Sequence, residues 1–192
     1  VISLLRNEPF FAAFSRRIQK RPSRQVPTAG VCVDKNTQQF ELIYNPDFFS
    51  SLSDEFVAGI LKHEFYHIIL GHVTLRKPKD GLQKIDNIAM DLAINSYLRD
   101  ELPSERNPGP PINGEPMKAC LPGEGPFADL PPYMTYEWYL EALKDMSEQQ
   151  PGGGEGGLEG MDSLDSHDEF GDGSEAGDPS DTIARERLKQ HV

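Results

Sequence analysis

Apolar residues along this chain recur with two different periods, and the switch between them sets the predicted elements. Ile2, Leu4, Leu5, Phe10, Phe11, Phe14 and Ile18 follow helix-like intervals that Pro9 interrupts. An Arg/Lys/Pro-rich piece, Arg16 to Arg24, leads into an extended region. There Val31, Val33, Phe40, Leu42 and Tyr44 alternate with other residues and predict two short strands, joined by a turn over Asp34-Lys35-Asn36-Thr37 and closed by Asn45-Pro46. Ser51 or Ser53, followed by Asp54 and Glu55, marks a helix N-terminus. That helix carries Phe56, Val57, Ile60, Leu61 and Ile68 and stops at Gly71, whose missing Cβ suits a C-terminal cap. A polar loop from Arg76 to Lys84 precedes a second helix, roughly Asp86 to Arg99. The stretch from Pro103 to Pro132 is too punctuated by proline and glycine for long elements. Helical spacing resumes from Thr135 to Met146, and Thr182 to Val192 predicts a short terminal helix. The expected class is α+β, mainly helical with a small sheet.

Charge changes the picture in one place only. The chain of 192 residues carries a formal net charge of −12, but Ser147 to Asp181 alone holds 11 acidic residues, nine glycines and no Lys or Arg. Acidity therefore describes a segment, read as a solvated linker able to attract a basic or regulatory protein partner. The expected organisation is a domain over 1–146, an acidic Gly-rich linker over 147–181 and a short helix over 182–192. A basic nucleic-acid footprint is absent. No apolar run reaches membrane-span length and no signal peptide is visible. Cys32 and Cys120 form no CxxC and no disulfide framework, which suits a reduced, cytoplasmic setting. The chain opens at Val1 without a methionine, which leaves a trimmed upstream segment possible.

The candidate chemistry sits in His63-Glu64-Phe65-Tyr66-His67, followed by Gly71-His72. Histidines four apart on a helix share a face and can grip one ion, while the residue after the first is rotated by about 100°. Glu64 is thereby placed to act on a metal-bound water without becoming a ligand. The competing reading is a buried helix with two histidines and a surface glutamate. An apolar helix argues against it, because buried polar groups need partners and a cation supplies one.

A third ligand has two candidates. His72 lies nine positions after His63, on the far side of an unbroken helix, and returns only if the chain turns sharply at Gly71. Asp91 lies on the second helix in a polar stripe, Asn87, Asp91 and Asn95, among Ile88, Met90, Leu92 and Ile94. A carboxylate in such surroundings is costly unless paired or metal-bound. The alternative is that the stripe faces solvent, but it lacks the Lys and Glu of a solvated face. Asp91 is the expected third ligand, with His72 and Asn95 as neighbours that orient the ligands.

The segments "VPTAGVCV", "ELIYNPDFFSSLSDEFVAGILKHEFYHIILGH", "NIAMDLAINSYL" and "TYEWYLEAL" together resemble the metallopeptidase domain family of bacteria and phages, often found beside a von Willebrand A-like domain. The resemblance implies a zincin-like fold with an HExxH active-site helix, His63, His67 and Asp91 as zinc ligands, Glu64 as base, and a bacterial or phage-infected cytoplasm. No von Willebrand domain lies within these residues. The implied function is zinc-dependent peptide hydrolysis, in which a metal-activated water attacks the carbonyl and Glu64 moves the proton. A strand such as Gln39 to Tyr44 is expected to hold an extended peptide by backbone pairing, and Tyr66, Tyr97 or Tyr133 to face the oxyanion. The rival is a catalytically silent zincin-fold binding or assembly module, and a third reading is hydrolysis of a non-peptide amide. His167, within "DSHDEF", reads as part of the acidic linker, and Cys120 as a plain buried cysteine in preference to an inhibitory thiolate.

Overall fold

The structure is a computed structural model that describes residues 8–78, 81–112, 114–149 and 179–189. The apolar residues Ile2, Leu4 and Leu5, most of the acidic segment and His167 lie outside the described residues. The described part is α+β with six α-helices and two small sheets. It divides into two compact units, residues 1–82 with 165–192, and residues 83–164.

The first unit opens with helix α1, Pro9–Ser15, in which Pro9 occupies the first turn. Pro9 thus starts the helix instead of breaking it, because a first-turn residue has no intrahelical N–H partner to lose. A three-stranded sheet follows, formed by β1 (Gln19–Pro22), β2 (Ala29–Asp34) and β3 (Gln39–Tyr44) in the order β1-β3-β2. β1 runs parallel to β3, and β2 pairs with it antiparallel, with Val31 opposite Leu42 and Val33 opposite Phe40. The turn between β2 and β3 is closed by Asp34 Oδ1, which accepts from the backbone N–H groups of Asn36 and Thr37 at 2.8 and 2.6 Å. β3 is the central strand, so both of its edges are used by neighbours. The expectation that Gln39 to Tyr44 pairs with a peptide fails for that reason.

β1 was not legible in the hydrophobic pattern because all four of its residues are exposed. It exists by pairing with β3, and Arg21 from it donates to both oxygens of the buried Glu41 at 3.1 Å. Helix α2, Pro46–Ser51, continues directly from the strand. Asn45 caps it by accepting from Asp47 N–H at 3.0 Å, with Pro46 in the first turn. Asn45-Pro46 therefore ends a strand and starts a helix at once. Helix α3, Asp54–Ile69, packs against α1 and β2, and the core of the unit gathers Phe11, Val31, Phe40, Leu42, Leu61 and Phe65.

The terminal helix of the described chain, Pro179–Lys189, belongs to this same unit. It lies against β2 and β3, contributing Ala184 to the core, while Arg187 Nη1 donates to the Thr37 carbonyl at 2.6 Å.

The second unit is built on helix α4, Lys84–Asn95, and helix α5, Tyr136–Gln149, which pack together. Between them run a hairpin of β4 (Gly109–Ile112) and β5 (Glu115–Met117) and a single 3₁₀ turn at Gly125–Phe127. Polar groups tie the first turn of α5 to both ends of α4. Tyr136 Oη donates to Asp86 Oδ1 at 2.9 Å, and Asp86 Oδ2 accepts from Gln83 N–H at 3.0 Å. At the other end the buried hydroxyls of Ser96 and Tyr139 lie 3.2 Å apart. Among the described residues no helix is long and apolar enough to cross a membrane.

Cys32, half-buried on β2 and paired in register with Glu41, has its thiol pushed up to about 11 by burial first and by the Glu41 carboxylate second. The thiolate is the reactive form, so alkylation of native Cys32 by iodoacetamide at pH 8 is expected to be about a hundredfold slower than in the unfolded chain. Peptide mapping of a quenched time course measures this. Equal rates in the two states would refute the buried-thiol account.

Candidate metal centre

Helix α3 begins cleanly because Ser53 Oγ accepts from Phe56 N–H at 3.2 Å and Asp54 and Glu55 occupy its first turn. Its interior is unusual. Every residue from Gly59 to Phe65 is buried, which is about two full turns at 3.6 residues per turn, so no face of that stretch meets solvent. His63, Glu64 and His67 are 1%, 1% and 0% exposed. Glu64 is thus no surface glutamate, and the bland reading of this helix does not survive. Even Lys62 is buried, its ammonium ion-paired with Glu8 and 5.7 Å from the centre of the Phe11 ring.

The two motif histidines turn their Nε2 atoms toward one another, 3.1 Å apart, with ring centroids at 4.8 Å. Two imidazoles on one tetrahedral zinc at 2.0–2.1 Å place their nitrogens about 3.3 Å apart. The donor pair therefore fits a zinc-sized cation in chemistry and in spacing.

The end of α3 determines where His72 goes. Gly71 takes φ +76, the left-handed conformation, and the chain closes on itself with His72 N–H donating to the His67 carbonyl at 2.9 Å and Gly71 N–H to the Ile68 carbonyl at 3.1 Å. This is a Schellman closure, in which the residue after the glycine comes back over the last turn. The turn brings the His72 ring to His67, Nδ1 to Nδ1 at 3.3 Å. His67 therefore has a histidine at each ring nitrogen, His63 at Nε2 and His72 at Nδ1. If Nε2 holds a metal, Nδ1 carries the proton and donates it to His72, which fixes the tautomer and the ring plane.

The other predicted residues lie on α4, in the second unit. Residues 86–96 are buried without interruption, so the polar stripe of Asn87, Asp91 and Asn95 does not face solvent; Asp91 and Asn95 are both 0% exposed. Asn95 Nδ2 donates to the Cys120 carbonyl at 2.8 Å. Cys120 is buried, as a plain core cysteine would be. Of the tyrosines, Tyr66 packs edge-on against Phe11 in the first unit, while Tyr97 and Tyr133 sit exposed in the second.

The sequence makes Gly71 a cap and the return of His72 conditional on a sharp turn there, and the structure makes that turn. The signal was present, since a Schellman closure always returns its last residue toward the final turn. Gly71→Ala is expected to cost about 1 kcal/mol, from φ alone, because an added Cβ meets no atom closer than 3.7 Å. Gly71→Asn should lose less, since asparagine tolerates left-handed backbone. Denaturant midpoints of the two variants check the order; a larger loss for Asn would contradict it.

Comparison with known proteins bears on the whole chain. A family model described as "Putative metallopeptidase domain" matches residues 1–186. An uncharacterized protein of Thermotoga maritima is 30% identical over 99 residues, which is 51% of this chain and 24% of that protein, so the aligned stretch spans about a quarter of the relative's length. No solved structure matches. The buried HExxH pair thus stands inside a match covering nearly all of the sequence, and the chain belongs to this family of metallopeptidase domains.

Proposed function

We propose that the chain is a zinc-dependent peptidase in which His63, His67 and Asp91 hold the metal and Glu64 is the general base. The observation that carries the reading is the pair of buried Nε2 atoms 3.1 Å apart on a helix whose stretch 59–65 is enclosed on every side, in a member of this family. His63 and His67 offer ring nitrogens and Asp91 a carboxylate oxygen, and all three are buried. Asp91 as third ligand is further supported by its sequence setting. An ionised carboxylate that deep in an apolar helix is stable only with a cation or equivalent compensation. Mixed imidazole and carboxylate donors suit zinc among the common divalent ions.

When bound, the zinc supplies Lewis acidity, acidifying a water and polarising a carbonyl. The chain does the rest. Glu64 follows the first ligand by one residue and projects from the helix at a different angle from the two histidines, which suits proton transfer and not ligation. It takes the proton of the attacking water and returns it to the leaving amine. His72 holds the proton-bearing side of His67 and so keeps that ring oriented. Peptides or proteins are the proposed substrates, and Glu64 is the reason to prefer an enzyme to a silent module, since a structural site needs ligands and no base.

Metal analysis tests the ligand set. Wild type is expected to bind one zinc per chain, and His63→Ala, His67→Ala and Asp91→Ala to lose it. His72→Ala should keep the metal with about 10–100-fold weaker affinity. Stoichiometric zinc in Asp91→Ala together with loss in His72→Ala would reverse the assignment of the third ligand. Catalysis has its own check, cleavage of a peptide library by wild type and by Glu64→Gln. The variant should retain zinc and lose at least about a hundredfold in rate. Equal cleavage by both proteins would sink the proposed base.

A further inference from the structure

The second unit keeps a group of aromatic residues outside its core. Tyr97 and Tyr133 are 61% and 62% exposed, and Met134 and Trp138 are 36% and 39% exposed. Tyr97 follows the end of α4, Tyr133 and Met134 lie just before α5, and Trp138 is in the first turn of α5. The Tyr97 and Tyr133 rings meet edge-on, with centroids 5.3 Å apart and planes at 60°. Ring surface of this size left in water is unfavourable by itself.

The backbone beneath the pair is set against its own preference. Tyr133 has φ +65, a left-handed conformation that a bulky residue adopts only when its surroundings impose it. What imposes it is visible. Tyr139, 0% exposed, donates its hydroxyl proton to the Pro131 carbonyl at 2.7 Å, and the same hydroxyl oxygen accepts from Met134 N–H at 3.5 Å. The Ser96 hydroxyl, next to Tyr97, lies 3.2 Å from it. One buried phenol therefore holds both ends of the Pro131–Met134 turn and the residue that precedes Tyr97. The exposed pair is a fixed surface and not a loose loop.

Charge gives the face its selectivity. The segments that carry it, residues 97–101 and 129–141, hold Asp100, Glu101, Asp129, Glu137 and Glu141. Their single basic residue is Arg99, whose guanidinium already donates to Glu124 at 3.1 Å. Aromatic faces attract cations, and a surrounding negative field strengthens the attraction. The same field repels phosphate backbones and anionic lipid headgroups. We propose that the Tyr97–Tyr133 face, with Met134 and Trp138 beside it, is a docking site for a cationic, Lys- or Arg-bearing polypeptide segment. The charged heads lie over the tyrosine rings and the aliphatic stems along Met134 and Trp138.

Trp138 is the chain's single tryptophan, so its emission reports directly on this face. The experiment titrates the full chain, in a Glu64→Gln background to prevent turnover, with a ten-residue peptide alternating Lys and Gly and with its Glu–Gly counterpart. The Lys peptide should change Trp138 emission saturably, with affinity falling as salt rises, and the Glu peptide should not. Tyr133→Gly should weaken the Lys peptide about tenfold, the loss of a cation–π partner, while its melting temperature stays level or rises because glycine relaxes the left-handed backbone. Tyr97→Ser should weaken binding without that gain. The acidic 147–181 segment also attracts lysines but does not depend on Tyr133, so undiminished binding by Tyr133→Gly overturns the proposal. Equal binding of the Glu peptide overturns it as well. Binding alone is read, so failure of the peptidase assignment leaves the result interpretable.

Discussion

The structure turns on the cost of enclosing polar groups in helix α3. A helix buried for two full turns normally carries only apolar side chains, and this one carries Lys62, His63, Glu64 and His67. Each must be compensated, because a polar group taken from water without a partner costs about 1–7 kcal/mol, and a charge more. Lys62 is answered by Glu8 and the Phe11 ring, and His67 by a histidine at each of its nitrogens. Hydrophobic burial alone would never select such a helix. Its sequence makes sense if the dry setting serves the polar groups, and in the function proposed above that service is to a metal and a base.

The remaining elements of the first unit can be read as support for that helix. The sheet supplies the apolar wall of Val31, Val33, Phe40 and Leu42, α1 supplies Phe11, and Glu8 just before α1 supplies the counter-charge. Ser53 fixes where α3 starts and Gly71 where it ends, which sets both the phase of the histidines and the return of His72. In the second unit, Asp86, Ser96, Tyr136 and Tyr139 hold α4 and α5 in register through hydrogen bonds between buried atoms. A helix carrying a buried carboxylate gains from such pinning, because side-chain position then follows from a fixed backbone.

Long, strongly patterned elements were legible in the sequence. The spans of α3, α4 and α5, strands β2 and β3 and the Asp34 turn follow from periodicity and capping residues, and the motif histidines from their spacing. What escaped was set by tertiary pairing or by one backbone angle. β1 has no buried residue and no hydrophobic alternation, so only its partner strand defines it. The α2 helix hid behind a proline read as a stop. The peptide-binding role expected of β3 failed because edge or centre is a property of the sheet and not of the strand. Whether His72 returns to the last turn hangs on the backbone of Gly71, and the left-handed angle there decides it. The burial of Asp91 was inferred from its neighbours, since an amphipathic helix and a fully enclosed one differ in the absence of long charged side chains.

The contact between Lys62 and Glu8 has a consequence for motion. Fraying of helix α1 would leave a charged ammonium without its carboxylate inside the protein, next to the first histidine of the motif. The penalty for such a separation is large, so the opening of α1 and the opening of α3 are energetically joined. In hydrogen-exchange terms the two helices are expected to open as one cooperative block. The stability of the HExxH helix thus depends on a short element many residues upstream that carries none of the motif.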